Sequence, residues 1–176
     1  MTFSRRCTVL IGLVCALALP SAWADASMIT WPGDWQIQDV PPAPDNNSQR
    51  QRAVKNDANG DPLMVMELTQ TTLAPEHQVN MEAVLLQMRK TLQQNFAKGG
   101  YQSACNKIHK STLGGLEALE TRCEITQNGN HVITQTLVAA THQNSAYALS
   151  YAGPADGYKA TEPEVQGIRA SLRLGQ

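Results

Sequence analysis

Two cysteines, Cys105 and Cys123, lie on either side of a Gly114-Gly115 pair, inside two segments whose apolar and polar residues alternate. Residues 101–112 and 116–125 both carry the two-residue period of half-buried strands, and the glycines between them mark a tight turn. The pattern predicts a hairpin, and the cysteines constrain its register. With a three-residue loop, Leu113-Gly114-Gly115, facing positions sum to 228 and Cys105 falls opposite Cys123. Directly opposed Cα atoms of an antiparallel pair lie about 4.5–5.5 Å apart, within reach of a disulfide. A two-residue turn would move the register by one and send the thiols to opposite faces. The bridge and the three-residue loop are therefore expected together. Closing such a loop of roughly 19 residues stabilises by about 3 kcal/mol. A redox-active pair would be adjacent, as in Cys-x-x-Cys, so this pair reads as structural.

Disulfides persist in oxidising compartments, and the amino terminus reads as an address for one. Arg5 and Arg6 precede an apolar run over residues 9–19, Pro20 breaks it, and Ala22-Trp23-Ala24 places small residues at both cleavage positions. The run is about a dozen residues, short of the roughly 20 that a spanning helix needs. Residues 1–24 are expected to be a cleaved signal peptide, and residues 25–176 a single exported domain in the periplasm. A lipid anchor is not expected, because Cys15 stands mid-run after Val14.

Without Arg5 and Arg6 the chain carries 12 basic against 15 acidic side chains, a net charge of −3 with histidine neutral. No Lys/Arg cluster remains, which argues against nucleic acid or an anionic membrane as partner. The run Pro41-Pro42-Ala43-Pro44-Asp45-Asn46-Asn47-Ser48 reads as an internal loop.

Strands are expected over 34–40, 51–56 and 63–69, with Asp57-Ala58-Asn59-Gly60-Asp61 as the turn joining the last two. A helix is expected over 76–96, opening at Pro75-Glu76 and stopped by Gly99-Gly100. Met81, Val84, Leu85, Met88, Leu92 and Phe96 form its apolar stripe, which reads as core in preference to an adaptable binding groove. Strands over 131–140 and 147–152 follow. A final helix is expected from Thr161, where Thr161-x-x-Glu164 matches a capping box. The order predicts an α+β fold, a largely antiparallel sheet of six or seven strands with a long central helix and a C-terminal helix packed on it.

This layout, with the early Trp35 strand, the run Asn144-Ser145-Ala146-Tyr147-Ala148-Leu149-Ser150-Tyr151, Gly157-Tyr158 and the ending Ile168-Arg169-Ala170-Ser171-Leu172-Arg173, resembles the Mog1/PsbP-like superfamily with its periplasmic DcrB-type proteins. Within it the chain is similar to the DUF4946 family. The resemblance implies an αβα sandwich and a non-enzymatic, accessory or partner-binding role. It brings no catalytic residues.

The residues themselves nominate no catalytic, cofactor-binding or metal-binding set. Gly-x-Ser-x-Gly, P-loop, dinucleotide and His-Glu-x-x-His motifs are all missing. His77, His109, His131 and His142 are scattered, though His109 and His131 could meet in the sheet. Asp57-x-Asn59-x-Asp61 opens like a calcium loop, but Leu68 stands where the bidentate glutamate belongs. Glu120 and Glu124 share a strand face with Arg122 and read as a solvated surface. No cofactor is expected. The leading expectation is a periplasmic accessory protein that binds a protein partner or a small envelope ligand. The second is an inhibitor of a secreted toxic enzyme, using an exposed loop such as 41–48 or 154–164. A hydrolase with an unrecognised site is the third.

Overall fold

The computed structural model describes residues 29–41 and 47–175. The expected signal peptide, with its cleavage residues Ala22 and Ala24, lies outside them, as does most of the Pro-rich loop. Among the described residues the elements run β1 (Trp35–Gln38), β2 (Ser48–Asn56), β3 (Pro62–Thr72), α1 (Met81–Lys98), β4 (Gln102–Cys105), β5 (His109–Leu113), β6 (Leu116–Gln127), β7 (Asn130–His142), β8 (Ser145–Pro154) and α2 (Ala155–Ser171). One antiparallel sheet has the order β1-β2-β3-β8-β7-β6-β4, with β5 also paired to β6. The eighth strand arises because the segment expected over 101–112 is broken into β4 and β5.

Cross-strand partners share a face, so the register sorts the sheet into two surfaces. Ala53, Met66, Tyr151, Thr136 and Arg122 form one continuous row. That surface is covered by α2, whose Tyr158, Val165 and Ile168, with Leu172 just past its end, join Met64, Met66, Leu68, Leu149 and Tyr151 in the larger core. Leu137, Ala139, Cys123 and Ile125 face the other way and pack with Leu85 and Leu92 of α1. A helix on each side of the sheet gives the αβα sandwich.

Both helix starts differ from the sequence expectation. Glu76 has φ 63°, outside helical space, and α1 begins only after Asn80, whose side chain accepts from Ala83 N at 3.0 Å. The second helix starts at Ala155, six residues before Thr161. Thr161 is therefore mid-helix, and its hydroxyl donates back to Gly157 O at 2.7 Å instead of capping. Pro163 also lies inside α2, so Thr161-x-x-Glu164 is a false cap signal. Segment 154–164 is thus no free loop. The hairpin turn at Asp57 is as expected: Asp57 Oδ1 accepts from the backbone N–H of Asn59 and of Asp61, both at 2.8 Å, and Gly60 takes φ 90°. Asn128-Gly129, both at positive φ, makes the β6–β7 turn, an Asn-Gly signal the sequence reading passed over.

The cysteine hairpin holds the most informative departure. Leu113 pairs with Leu116, so the turn has two residues, and facing positions along β5–β6 sum to 229. Cys105 nevertheless faces Cys123, because β4–β6 partners sum to 228. Asn106, Lys107 and Ile108 span what Thr121 and Arg122 span on β6, and this extra residue resets the register. Asn106 secures the offset: its Oδ1 accepts from Arg122 N at 2.8 Å and from Thr121 Oγ1 at 3.1 Å. The bridge forms with Cα atoms 3.9 Å apart. Bridge and three-residue loop were not linked after all; a bulge separates them.

Candidate functional site: a trough between α1 and the sheet

Strand β8 alternates by residue size. Tyr147, Leu149 and Tyr151 fill the α2 side and are fully buried. Ala146, Ala148, Ser150 and Ala152 point to the α1 side, where small side chains leave space. Helix α1 packs over β4, β6 and β7, and does not extend across β8 and β3. The result is a trough with β8 and β3 as floor and α1 as one wall.

Three cavities follow one another along it. The first, about 310 Å³, lies at the amino-terminal end of α1 among Val79, Val84, Thr71, Ala146, Ala148 and His77. The middle one, about 380 Å³, is lined by Gln87, Met88, Thr91, Asn95, Gln135 and Ser150. The third, about 360 Å³, lies among Val65, Phe96, Ile133, Ala152 and Pro154. Val84, Gln87, Met88, Thr91 and Asn95 recur at helical spacing and form the wall. The apolar stripe expected to be core is thus divided: Leu85 and Leu92 are buried, Met88 and Phe96 are partly covered, and Val84 is 37% exposed. The distinction turns on which side of the stripe meets β7 and which meets the trough.

Charge enters from β2. Arg52 faces Glu67, Glu67 faces Ser150, and Ser150 faces Leu137, all on the α1 side. Arg50 stands one pair along and donates to Pro41 O at 2.7 Å. Both arginines approach the Glu67 carboxylate only to 3.9 Å. Two guanidiniums around one carboxylate leave a positive charge over, and the buried Arg52 Nε has no hydrogen-bond partner.

A second polar cluster lies on the α2 side. Arg169, 5% exposed, meets Glu120 at 2.8 Å and donates to Ser111 Oγ, Thr112 O and Tyr151 Oη. The surface expected to be solvated around Glu120 is thus buried, because α2 lies across it. Arg122 pairs with Glu162 and stacks 5.3 Å from the Tyr158 ring, whose hydroxyl shares a 2.6 Å hydrogen bond with Thr136. Burial, then the neighbouring Tyr151, pushes the Tyr158 phenol well above its usual value of 10.0. A latch at the sheet edge completes this side: Trp35 Nε1 donates to Glu164 Oε1 at 2.6 Å, and Lys55 bridges Glu164 and Asp34. The hydrogen bond to Glu164, then that to Asp34, raises the Lys55 pKa above 10.5.

Both shifts give stability the same pH dependence. Tyr158 and Lys55 hold their protons more tightly folded than unfolded, so their contribution is complete below about pH 10 and is lost as pH rises through the folded values. The urea midpoint is expected to fall as pH rises above about 10, and Tyr158→Phe to flatten that fall. Equal slopes for the two proteins would show that Tyr158 is not the linked group.

His109 lies opposite Glu120 and His131 opposite Thr126, six residues apart on β6. They do not meet. His131 shares a 3.0 Å hydrogen bond with Thr134. No cluster of three His, Cys, Asp or Glu suited to a metal occurs among the described residues. Cys105 and Cys123 tie β4 to β6 and stand apart from the trough.

The model of a domain of unknown function, DUF4946, matches residues 26–174. The chain belongs to the DUF4946 family. No curated protein matches this DUF4946 chain. Its fold is similar to that of cyanobacterial PsbP (CyanoP) from Synechocystis sp. PCC 6803, with TM-score 0.62 and 12% identity over 85% of this chain and 87% of the other. It is also similar to LpqN, described as involved in cell envelope biogenesis of Mycobacterium tuberculosis, with TM-score 0.51 and 19% identity over 85% and 83%. A protein from Bacteroides thetaiotaomicron VPI-5482 aligns with TM-score 0.53 and 13% identity over 85% of this chain and 45% of its own. At these identities the likeness is one of fold, and that fold is Mog1/PsbP-like.

Proposed function

We propose that this DUF4946 protein is a non-enzymatic accessory protein of the periplasm that binds a partner, either a protein segment or a small envelope ligand, in the trough between α1 and the sheet. The observation that carries the reading is the size alternation of β8. A strand that needed only to be buried would fill both faces, whereas Ala146, Ala148, Ser150 and Ala152 keep one face open beside a helix wall of mixed alkyl, amide and hydroxyl groups. That lining suits binding and not bond-making. Glu67 is already engaged by two arginines, and His77 lines only the cavity at one end.

The amino-terminal sequence and the Cys105–Cys123 bridge support a periplasmic setting. The fold likeness to LpqN, a protein of cell envelope biogenesis, is consistent with an envelope role. The test is a pair of affinity captures from periplasmic extract, one with the natural protein and one with Thr91→Trp. Thr91 is exposed on α1, so an indole there fills the middle cavity without touching the core. A partner bound by the natural protein and lost at least tenfold by the variant is expected. Equal recovery by both would remove the trough from the function.

A further inference from the structure

Resting on that reading, we infer that the occupant of the trough is an extended peptide segment of about six residues, apolar at both ends and acidic near its centre. Length comes first. From Ala146 to Ala152 the floor spans six strand steps, roughly 20 Å, which an extended peptide covers with about six residues. The order of chemistry along the trough comes next. Its two end cavities are apolar, with Val79, Val84 and Ala146 at one end and Val65, Phe96 and Ile133 at the other. The middle cavity instead presents Gln87, Thr91, Asn95, Gln135 and Ser150. An acyl chain would lay methylenes against the side chains of Gln87, Thr91 and Asn95 and offer them no partner, while Gln135 Nε2 already donates to Ser150 Oγ at 2.8 Å. An extended peptide brings a carbonyl and an N–H at every residue, which side-chain amides match as donor and acceptor together.

Charge selects the central residue. Leu137 and Ser150 line the middle cavity, and their row continues beyond it to Glu67 and Arg52. Arg52 stands two strands from β8, about 10 Å, within the combined reach of a guanidinium and an acidic side chain. Its ion pair with Glu67 is long at 3.9 Å, and its Nε lacks a partner. A carboxylate entering here meets the open part of the Arg52 side chain, which is 41% exposed, and neutralises the surplus cation of the Arg50–Glu67–Arg52 group.

The experiment titrates three capped heptapeptides, Leu-Leu-Ser-X-Ser-Leu-Leu with X as glutamate, glutamine or lysine, into the ¹⁵N-labelled protein. The glutamate peptide is expected to bind about tenfold tighter than the lysine peptide, with the charge preference abolished in Arg50→Gln/Arg52→Gln. Shifts should concentrate at residues 84–95 and 146–152, and Thr91→Trp should suppress them. Equal affinities for glutamate and lysine peptides, shifts elsewhere, or no peptide binding would overturn the inference. Sodium dodecanoate is the control for an acyl ligand. If it alone shifts the trough, the peptide is wrong and the trough reading stands. If nothing shifts the trough and Thr91→Trp captures the same partner as the natural protein, the reading itself fails.

Discussion

Replacing Arg169 by methionine is expected to destabilise the protein by about 3–5 kcal/mol, because it leaves the Glu120 carboxylate buried without its cation. The pair is deep: Arg169 is 5% exposed and Glu120 8%. Arg169 also joins α2 to two strands at once. Its Nε and Nη2 donate to Thr112 O, Nη2 donates to Ser111 Oγ, and Nη1 donates to Tyr151 Oη. Ser111 Oγ in turn donates to Glu120 Oε2 at 2.8 Å. Truncation therefore strands several acceptors as well as one charge. The double variant Glu120→Leu/Arg169→Met should recover about half of the loss, since the buried charge is gone while Thr112 and Tyr151 remain without their donor. Urea unfolding of the three proteins checks this. A loss below about 1 kcal/mol for Arg169→Met would mean that the cluster is solvated in solution.

Removal of the bridge by Cys105→Ala/Cys123→Ala is expected to cost about 3 kcal/mol, the loop-closure value for a ring of this size. For a domain of this length that corresponds to a melting point lower by roughly 6–12 °C. The effect is concentrated at the sheet margin. β4 has four residues and lies at the end of the strand order, with β6 as its pairing strand. Once the bridge is gone, β4 is held by that ladder and by α1, through contacts such as Gln93 Nε2 donating to Ser103 O at 3.1 Å. Amide exchange in 102–105 should therefore accelerate more than in β7 or β8. A reductant should reproduce the melting shift in the natural protein and leave the double variant unchanged. Coincident melting of natural and double-variant protein would show that the bridge does not constrain the unfolded chain.

The bridge also shows where sequence reading reaches its limit. Alternation, a glycine pair and two cysteines were enough to predict the hairpin and the Cys105–Cys123 pairing. They were not enough to predict the turn length, because a three-residue loop follows only from an unbroken ladder. Asn106 breaks it, and what makes the break tolerable is its side chain meeting Thr121 and Arg122 on the neighbouring strand. Bulges are fixed by such cross-strand contacts and leave little local trace. The helix start at Ala155 was hidden for a similar reason. Thr161-x-x-Glu164 matches a cap as a pattern, but Glu164 is held by Trp35 and Lys55, on β1 and β2.

Local chemistry determined what depends on neighbours in the chain: the Asp57 turn, the stop of α1 at Gly99-Gly100, the two-residue period of the strands and the apolar stripe of α1. These follow from backbone sterics and from burial of one face, both of which act over a few residues. The sequence also contains the β8 alternation of tyrosine and leucine against alanine and serine, but not its meaning. Small residues on one face of a strand denote close packing when a helix lies over them and an open floor when none does. Only the placement of α1 over β4, β6 and β7 made them the floor of a trough. The same kind of choice buried Glu120 under α2 and left Glu124 exposed. Which half of a sheet face a helix covers is set by contacts between residues far apart in the chain, and it is there that the candidate site was decided.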